Sequence, residues 1–201
     1  MKRCGAKRHY DLLIEENNDP VFDPPELKAY MDGWDGERFL CSLGDLRGKS
    51  VLEIGVGTGR LAVRVCPLCE KFSGIDLSPN TVLRAKKNLS AFSDAKVFCG
   101  NFFSYPFSEK FDVIYSSLVF LHFKRKRAAL KKAKKLLKNG GIFAISLDKC
   151  RNRYIDCGTR KVRVYPDDPK KIEKTLAALG FVLSDSYETE RAFIIIAKKP
   201  E

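Results

Sequence analysis

From Lys49 onward the hydrophobic residues fall into short continuous blocks separated by stretches with helical spacing. The blocks are "SVLEI" (50–54), "KFSGID" (71–76), "AKVFCG" (95–100), "FDVIYSS" (111–117) and "GIFAISL" (141–147). Each has the length of a strand and little polar alternation, the pattern of strands covered on both faces of a parallel sheet. Between them "GRLAVRVCP" (59–67), "SPNTVLRAKKNLSAF" (78–92) and the lysine-rich run from 124 predict helices. Ser78 is placed to cap the second, with Pro79 at its first position, and "KNGG" (138–141) marks the end of the third. After one more helix, "PKKIEKTLAALG" (169–180), the segment "FVLSDSYETERAFIIIAKK" (181–199) predicts an antiparallel hairpin at one side of the sheet. The longer connection 148–166 has room for a small hairpin of its own, with Gly158 in its turn. Alternating strands and helices of this kind define a doubly wound α/β sheet with helices on both faces. Residues 1–48 lack the alternation. "HYDLLIEE" (9–16) and "PELKAYMDGW" (25–34) predict helices, with "NNDPVFDPP" between them, and Gly33 and Gly36 interrupt the second before "ERFLCSLGDL" (37–46). The chain thus divides into an N-terminal helical cap, 1–48, and a main domain, 49–201.

Composition adds limits. At 201 residues, 44% hydrophobic and 31% charged, the chain is long enough for one ordinary core and has no run near the roughly 20 apolar residues of a membrane span. The basic start lacks an apolar signal core, so the cytoplasm is the expected location. Seven cysteines at irregular spacing are expected to be reduced there. "CPLC" (66–69) has metal-ligand spacing but no close second pair, and is read as a helix end and the turn after it, with no metal expected. Of the +12 net charge, residues 1–9 carry +4 and residues 124–138 carry +9, so the rest of the chain sums to −1. The helix in 124–138 keeps Leu130, Ala133, Leu136 and Leu137 for the core, which turns its lysines to solvent, and lysines at its C-terminal end suit the helix dipole.

The chemistry centres on "VLEIGVGTGR" (51–60), where Gly55, Gly57 and Gly59 follow the first strand. Glycines there let a ligand approach the backbone. The dinucleotide fingerprint G-x-G-x-x-G would place its third glycine one residue later, where this chain has Arg60. Asp76 ends the second strand, 21 residues after Gly55, where a carboxylate can take both hydroxyls of a ribose.

With these two elements the sequence resembles the class I S-adenosylmethionine-dependent methyltransferases over residues 49–197. The likeness lies in the order of "VLEIGVGTGR", "GIDLSP", "CGNFFSYPF", "FDVIYSSLVFLHF" and "LLKNGGIFAIS". It implies a Rossmann-like, mainly parallel seven-stranded sheet and S-adenosylmethionine as cofactor, with S-adenosylhomocysteine as product. It also implies that Glu53, Gly55, Gly57 and Gly59 hold the methionine end, Asp76 the ribose and Leu77 the adenine. Asn101 and Phe102 stand where the family often has an acid and an apolar neighbour against the adenine; an asparagine there departs from the pattern. Ser116 and Ser117 would line the floor beneath the sulfonium.

Methyl transfer from a sulfonium needs alignment and exclusion of water more than a catalytic group, and a base only if the acceptor must lose a proton. The candidates for that role are His122, just after the fourth strand of the alternation, and Tyr10 in the N-terminal segment, which with His9 is placed to fold over as a lid. "SSLVF" (116–120) replaces the N/D-P-P-Y/F of amino-group methylases, and no Pro-Cys pair follows for attack on cytosine. The expected function is methyl transfer to a small molecule. Two alternatives stay open: an RNA methyltransferase using the basic segments, and a non-catalytic cofactor-binding or scaffold protein.

Overall fold

The computed structural model describes residues 2–201. In chain order its elements are β1 (Lys2–Cys4), α1 (Ala6–Glu15), α2 (Pro25–Asp35), α3 (Glu37–Cys41), β2 (Ser50–Ile54), α4 (Ala62–Val65), β3 (Lys71–Asp76), α5 (Pro79–Asn88), β4 (Ala95–Cys99) and β5 (Phe111–Ser117). They continue with α6 (Lys126–Leu136), β6 (Leu137–Asp148), β7 (Tyr154–Asp156), β8 (Arg160–Arg163), α7 (Pro169–Ala178), β9 (Val182–Glu188) and β10 (Ala192–Lys198). Seven strands form one sheet in the order β4-β3-β2-β5-β6-β10-β9. The first five run parallel, and β10 is antiparallel to both β6 and β9. This is the expected mainly parallel, doubly wound sheet with its terminal hairpin.

Strand alternation divides the core into two layers. Val51, Val113, Ala144 and Ile194 face the layer containing Phe39, Val65 and Val82. Their neighbours Leu52, Ile114, Ile145 and Ile195 face Leu130, Ala133 and Leu176 on α6 and α7. Ser78 caps α5 as expected, its Oγ accepting from Thr81 N at 3.2 Å. Cys66 and Cys69 sit in the 3₁₀ turn after α4 and the residue that follows it; burial pushes their thiols up to about 12 and about 11, away from the thiolate that metal binding or redox chemistry needs.

Four local expectations change. "KNGG" does not end α6 in a loop: β6 begins at Leu137, and the glycines lie within it, where its pairing with β5 shifts register between Phe111 and Val113. Gly33 lies inside α2, because its carbonyl accepts from Thr189 Oγ1 and Arg191 N and its bare Cα lies against the Arg191 side chain. Only Gly36 interrupts. The predicted helix over 59–67 shrinks to α4, four residues long. The N-terminus is not wholly helical, since β1 pairs in parallel with β8, Lys2 opposite Arg160 and Cys4 opposite Val162. The expected small hairpin, β7 with β8, is present, and β1 makes it a second sheet of three strands. This ties the N-terminal residues to the 154–163 connection.

Candidate active site

The carboxyl ends of β2, β3 and β5 meet where a parallel sheet of this topology offers its crevice. Gly55 and Gly57 follow β2 with φ of +78° and +54°, a conformation that side-chain-bearing residues adopt at a cost. They differ in surroundings. A Cβ on Gly55 would lie 2.1 Å from Val119 Cγ2, whereas one on Gly57 would meet nothing within 4 Å. Gly55 therefore admits the turn after β5, and Gly57 leaves its backbone open to a ligand. Gly59 is covered by Leu89.

Asp76, at the end of β3, fastens the glycine loop to the start of α5. One oxygen accepts from Gly57 N at 3.1 Å, the other from Ser78 N at 2.9 Å. Burial raises its pKa against these hydrogen bonds. Leu77 beside it is exposed.

Glu53 points into the sheet and accepts from the Tyr115 hydroxyl at 2.8 Å. Burial raises its carboxyl to about 8, so it is largely protonated at neutral pH. Because the folded pKa exceeds the unfolded one near 4.5, Glu53 contributes stability in full below pH 4.5 and loses it as pH rises through about 8. The variant Glu53→Gln, neutral at every pH, is accordingly expected to melt with a flatter pH profile between 5 and 8. Thermal melts at several pH values check this; equal slopes for wild type and variant contradict it.

The two serines at the end of β5 separate. Ser116 is fully buried and donates to the Ile54 carbonyl at 2.9 Å, while Ser117 donates to Asp35 Oδ2. Asp35, wholly buried at the end of α2, also receives both terminal nitrogens of Arg60. Arg60, one residue past the glycines, is thereby turned toward the cap and not into the loop. Asn101 is exposed, its Oδ1 accepting from Phe103 N, and Phe102 is buried, stacked on Phe123 at 6.3 Å.

Tyr10 and His122, 112 positions apart, meet: Tyr10 Oη and His122 Nε2 are 3.0 Å from one another. Burial lowers His122 to about 4 and raises the Tyr10 hydroxyl, which the nearby Asp76 charge raises further. Both are neutral at physiological pH. His122 Nδ1 is buried and without a hydrogen-bond partner among the described residues.

The N-terminal segment is held over this crevice by buried acids that sequence reasoning had not singled out. Asp11 accepts from Ser78 Oγ at 2.6 Å, and Asp19 takes Arg84 at 3.0 Å and Asn88 at 3.1 Å. Trp34 Nε1 donates to Asp148 at 2.8 Å. Arg160, buried in β8, binds Glu16 through both terminal nitrogens and donates to His9 Nδ1. The N-terminal segment and the connection are thus fastened to one another. Among the described residues no group of three or more His, Cys, Asp or Glu is placed to hold a metal ion, and no helix is long and apolar enough to cross a membrane.

Known proteins resemble this chain in sequence and in fold. A sequence profile described as a methyltransferase domain matches residues 52–145. An uncharacterized methyltransferase of Geobacillus kaustophilus is 34% identical over 118 residues, covering 57% of this chain and 54% of that protein. One of Bacillus velezensis is 31% identical over 144 residues, 69% of this chain and 65% of that protein. The chain spans about half the length of the Geobacillus and Anoxybacillus relatives it matches. Among solved structures, N-methyltransferase NodS of Bradyrhizobium japonicum, in complex with S-adenosylhomocysteine, has a TM-score of 0.73 at 20% identity over 96% of this chain and 98% of that one. Magnesium protoporphyrin IX methyltransferase of Synechocystis, with bound S-adenosylmethionine, scores 0.75 at 16% identity over 96% and 94%. The [4+2]-cyclase SpnF scores 0.73 at 18% identity over 96% and 95%. The chain is thus similar to known methyltransferases, in sequence over residues 52–145 and in fold to ones solved with S-adenosylmethionine or S-adenosylhomocysteine bound.

Proposed function

We propose that this protein transfers the methyl group of S-adenosylmethionine to a small-molecule acceptor enclosed between the sheet and the N-terminal cap. The observation that carries the reading is the open backbone at Gly57 beside the half-buried carboxylate of Asp76: together they offer a close approach and a hydroxyl-binding acid, the needs of a nucleoside carrying an amino-acid tail. Gly55, Gly57 and Gly59, with Glu53, would hold that tail. Asp76 would accept from the ribose hydroxyls through its remaining lone pairs, with Leu77, Asn101 and Phe102 toward the adenine. Ser117 and the backbone near Ser116 would form the floor of the site. The bound cofactor supplies an activated methyl on a sulfonium.

The cap supports a small acceptor because α1 and α2 reach the strand ends and are fastened there. Such a cover aligns the reactants and excludes water. The Tyr10–His122 pair would orient the acceptor or receive its proton. His122 acts in this reading as a neutral imidazole, so activity should show no transition near pH 6.5. His122→Ala and Tyr10→Phe are each expected to slow transfer about 100-fold, with S-adenosylhomocysteine affinity within about twofold of wild type. Full activity in both variants, or a rate that titrates near 6.5, contradicts the assignment.

The acceptor class is tested by incubating the protein with methyl-labelled S-adenosylmethionine and fractionated cell extract. Label in the low-molecular-weight fraction supports the proposal. Label confined to RNA favours a second reading, to which the basic start of α6 lends weight. A protein that binds the cofactor and labels nothing is a non-catalytic binder or scaffold, a use that the fold by itself allows.

A further inference from the structure

The nine basic residues of 124–138 are not a uniformly solvated face. Four of them have structural partners. Lys126 turns inward to the carbonyls of Phe120 and Tyr165 and to the buried Asp167. Lys132 donates to the Tyr105 carbonyl, Lys134 to that of Leu179, and Lys138 to Asp112. The rest make no ion pair among the described residues.

Those unpaired cations are concentrated at one place. Lys124, Arg125, Arg127 and Lys131 line a groove of about 720 Å³ between α6 and α7, with Lys171 on its other wall. Asp168 is its one acidic lining residue, and an oxygen of that carboxylate is committed to Lys171 N as the cap of α7. The placement runs against the helix dipole. The sequence "KRKR" (124–127) lies at the positive end of α6, which has no capping side chain and no acid in its first turn. Lysines at the C-terminal end of α6 do suit the dipole, but these four residues do not. A cluster of like charge that raises the energy of the free protein at a helix start is understandable when an anion is bound there.

We infer that this groove binds the phosphate backbone of a nucleic acid. Five unpaired cations exceed what a single phosphate needs and match a run of phosphates. No aromatic side chain lines the groove, so binding through the backbone is expected to be tolerant of sequence. A concave site without exposed large apolar residues does not suit a membrane surface. The inference does not rest on methyl transfer, because binding is read without cofactor.

The test is fluorescence anisotropy with a labelled oligouridylate of about 15 nucleotides, across roughly 50 to 200 mM salt. Wild type is expected to bind with a log–log salt slope of about −3.5, about 0.7 per phosphate for five contacts. The triple variant Arg125→Glu, Arg127→Glu, Lys131→Glu should bind at least about tenfold more weakly, with a slope shallower by about 2. Its melting temperature should be no lower than wild type, since it relieves the charge at the helix start. If it fails to fold, the neutral triple with glutamine at the same positions carries the same expectation. The comparison variant Lys49→Glu, Lys86→Glu, Lys96→Glu makes an equal charge change at exposed positions elsewhere and should retain most of the binding. Equal losses in the two variants, or wild-type binding no tighter than to a labelled polyglutamate of similar length, would overturn the inference.

Discussion

Gly55→Ala is expected to unfold the protein or destabilise it by roughly 2–5 kcal/mol, whereas Gly57→Ala, two residues on, is expected to leave the fold and weaken ligand binding. Both positions are left-handed, which costs a residue with a side chain about 1–2 kcal/mol. At Gly55 a second cost is added. The new methyl would lie 2.1 Å from Val119 Cγ2, and Val119 is β-branched, with little rotamer freedom to withdraw. Overpacking of this kind typically costs about 1–3 kcal/mol, a large share of the roughly 5–15 kcal/mol that holds a domain together. At Gly57 the methyl enters open space, so only the strain remains, about 2–8 °C of melting temperature for a chain of this size. That space is where the cofactor is proposed to lie, so affinity for S-adenosylhomocysteine should fall at least about tenfold, the equivalent of 1.4 kcal/mol. Melting curves and a binding isotherm for the two variants decide the matter. A Gly55→Ala protein that melts within a few degrees of wild type denies the close packing, and undiminished binding by Gly57→Ala denies the ligand's position.

Asp76→Ala should have the largest effect on binding alone. Two charge-assisted hydrogen bonds to the ribose hydroxyls, each contributing about 1.5–3 kcal/mol, amount to a loss of about 100-fold or more. The fold should tolerate the change better than the ligand does. Removing the carboxylate leaves Gly57 N and Ser78 N without their partner, but it also relieves an acid whose pKa is raised by desolvation. Asp76→Asn, which keeps an oxygen acceptor but not the charge, should fall between the two. Calorimetric titration with S-adenosylhomocysteine measures the series; an unchanged dissociation constant for Asp76→Ala removes the ribose assignment.

Much of the sheet was legible because its signal is local. A buried parallel strand needs only a short apolar block, and β2, β3, β4 and β5 each announce themselves that way. The placement of the glycine loop and of Asp76 was legible for a related reason, since left-handed turns favour glycine and Asp76 closes an apolar block. The cap was not, because what holds it is tertiary. Asp11, Asp19 and Asp35 read as surface acids in any hydropathy pattern, yet all three are buried, and partners brought near by the fold make that tolerable: Ser78 for Asp11, Arg84 and Asn88 for Asp19, Arg60 and Ser117 for Asp35. The three residues of β1 carry no periodicity at all, and their pairing with β8 depends on an edge formed more than 150 positions later. Tyr10 and His122 were each singled out, but their 3.0 Å contact was beyond any spacing argument. "KNGG" misled for another reason: glycines that commonly close a helix serve here inside a strand, where the register shifts.

The central claim, that the glycine loop and Asp76 form a site for S-adenosylmethionine, is tested most directly by thermal shift with S-adenosylmethionine, S-adenosylhomocysteine and NAD at matched concentrations. A ligand at about 100 times its dissociation constant adds about 2.7 kcal/mol, or roughly 5–10 °C here. The account predicts such a shift with the two sulfur compounds and none with NAD. A shift with NAD alone, or none with any of the three, would contradict it.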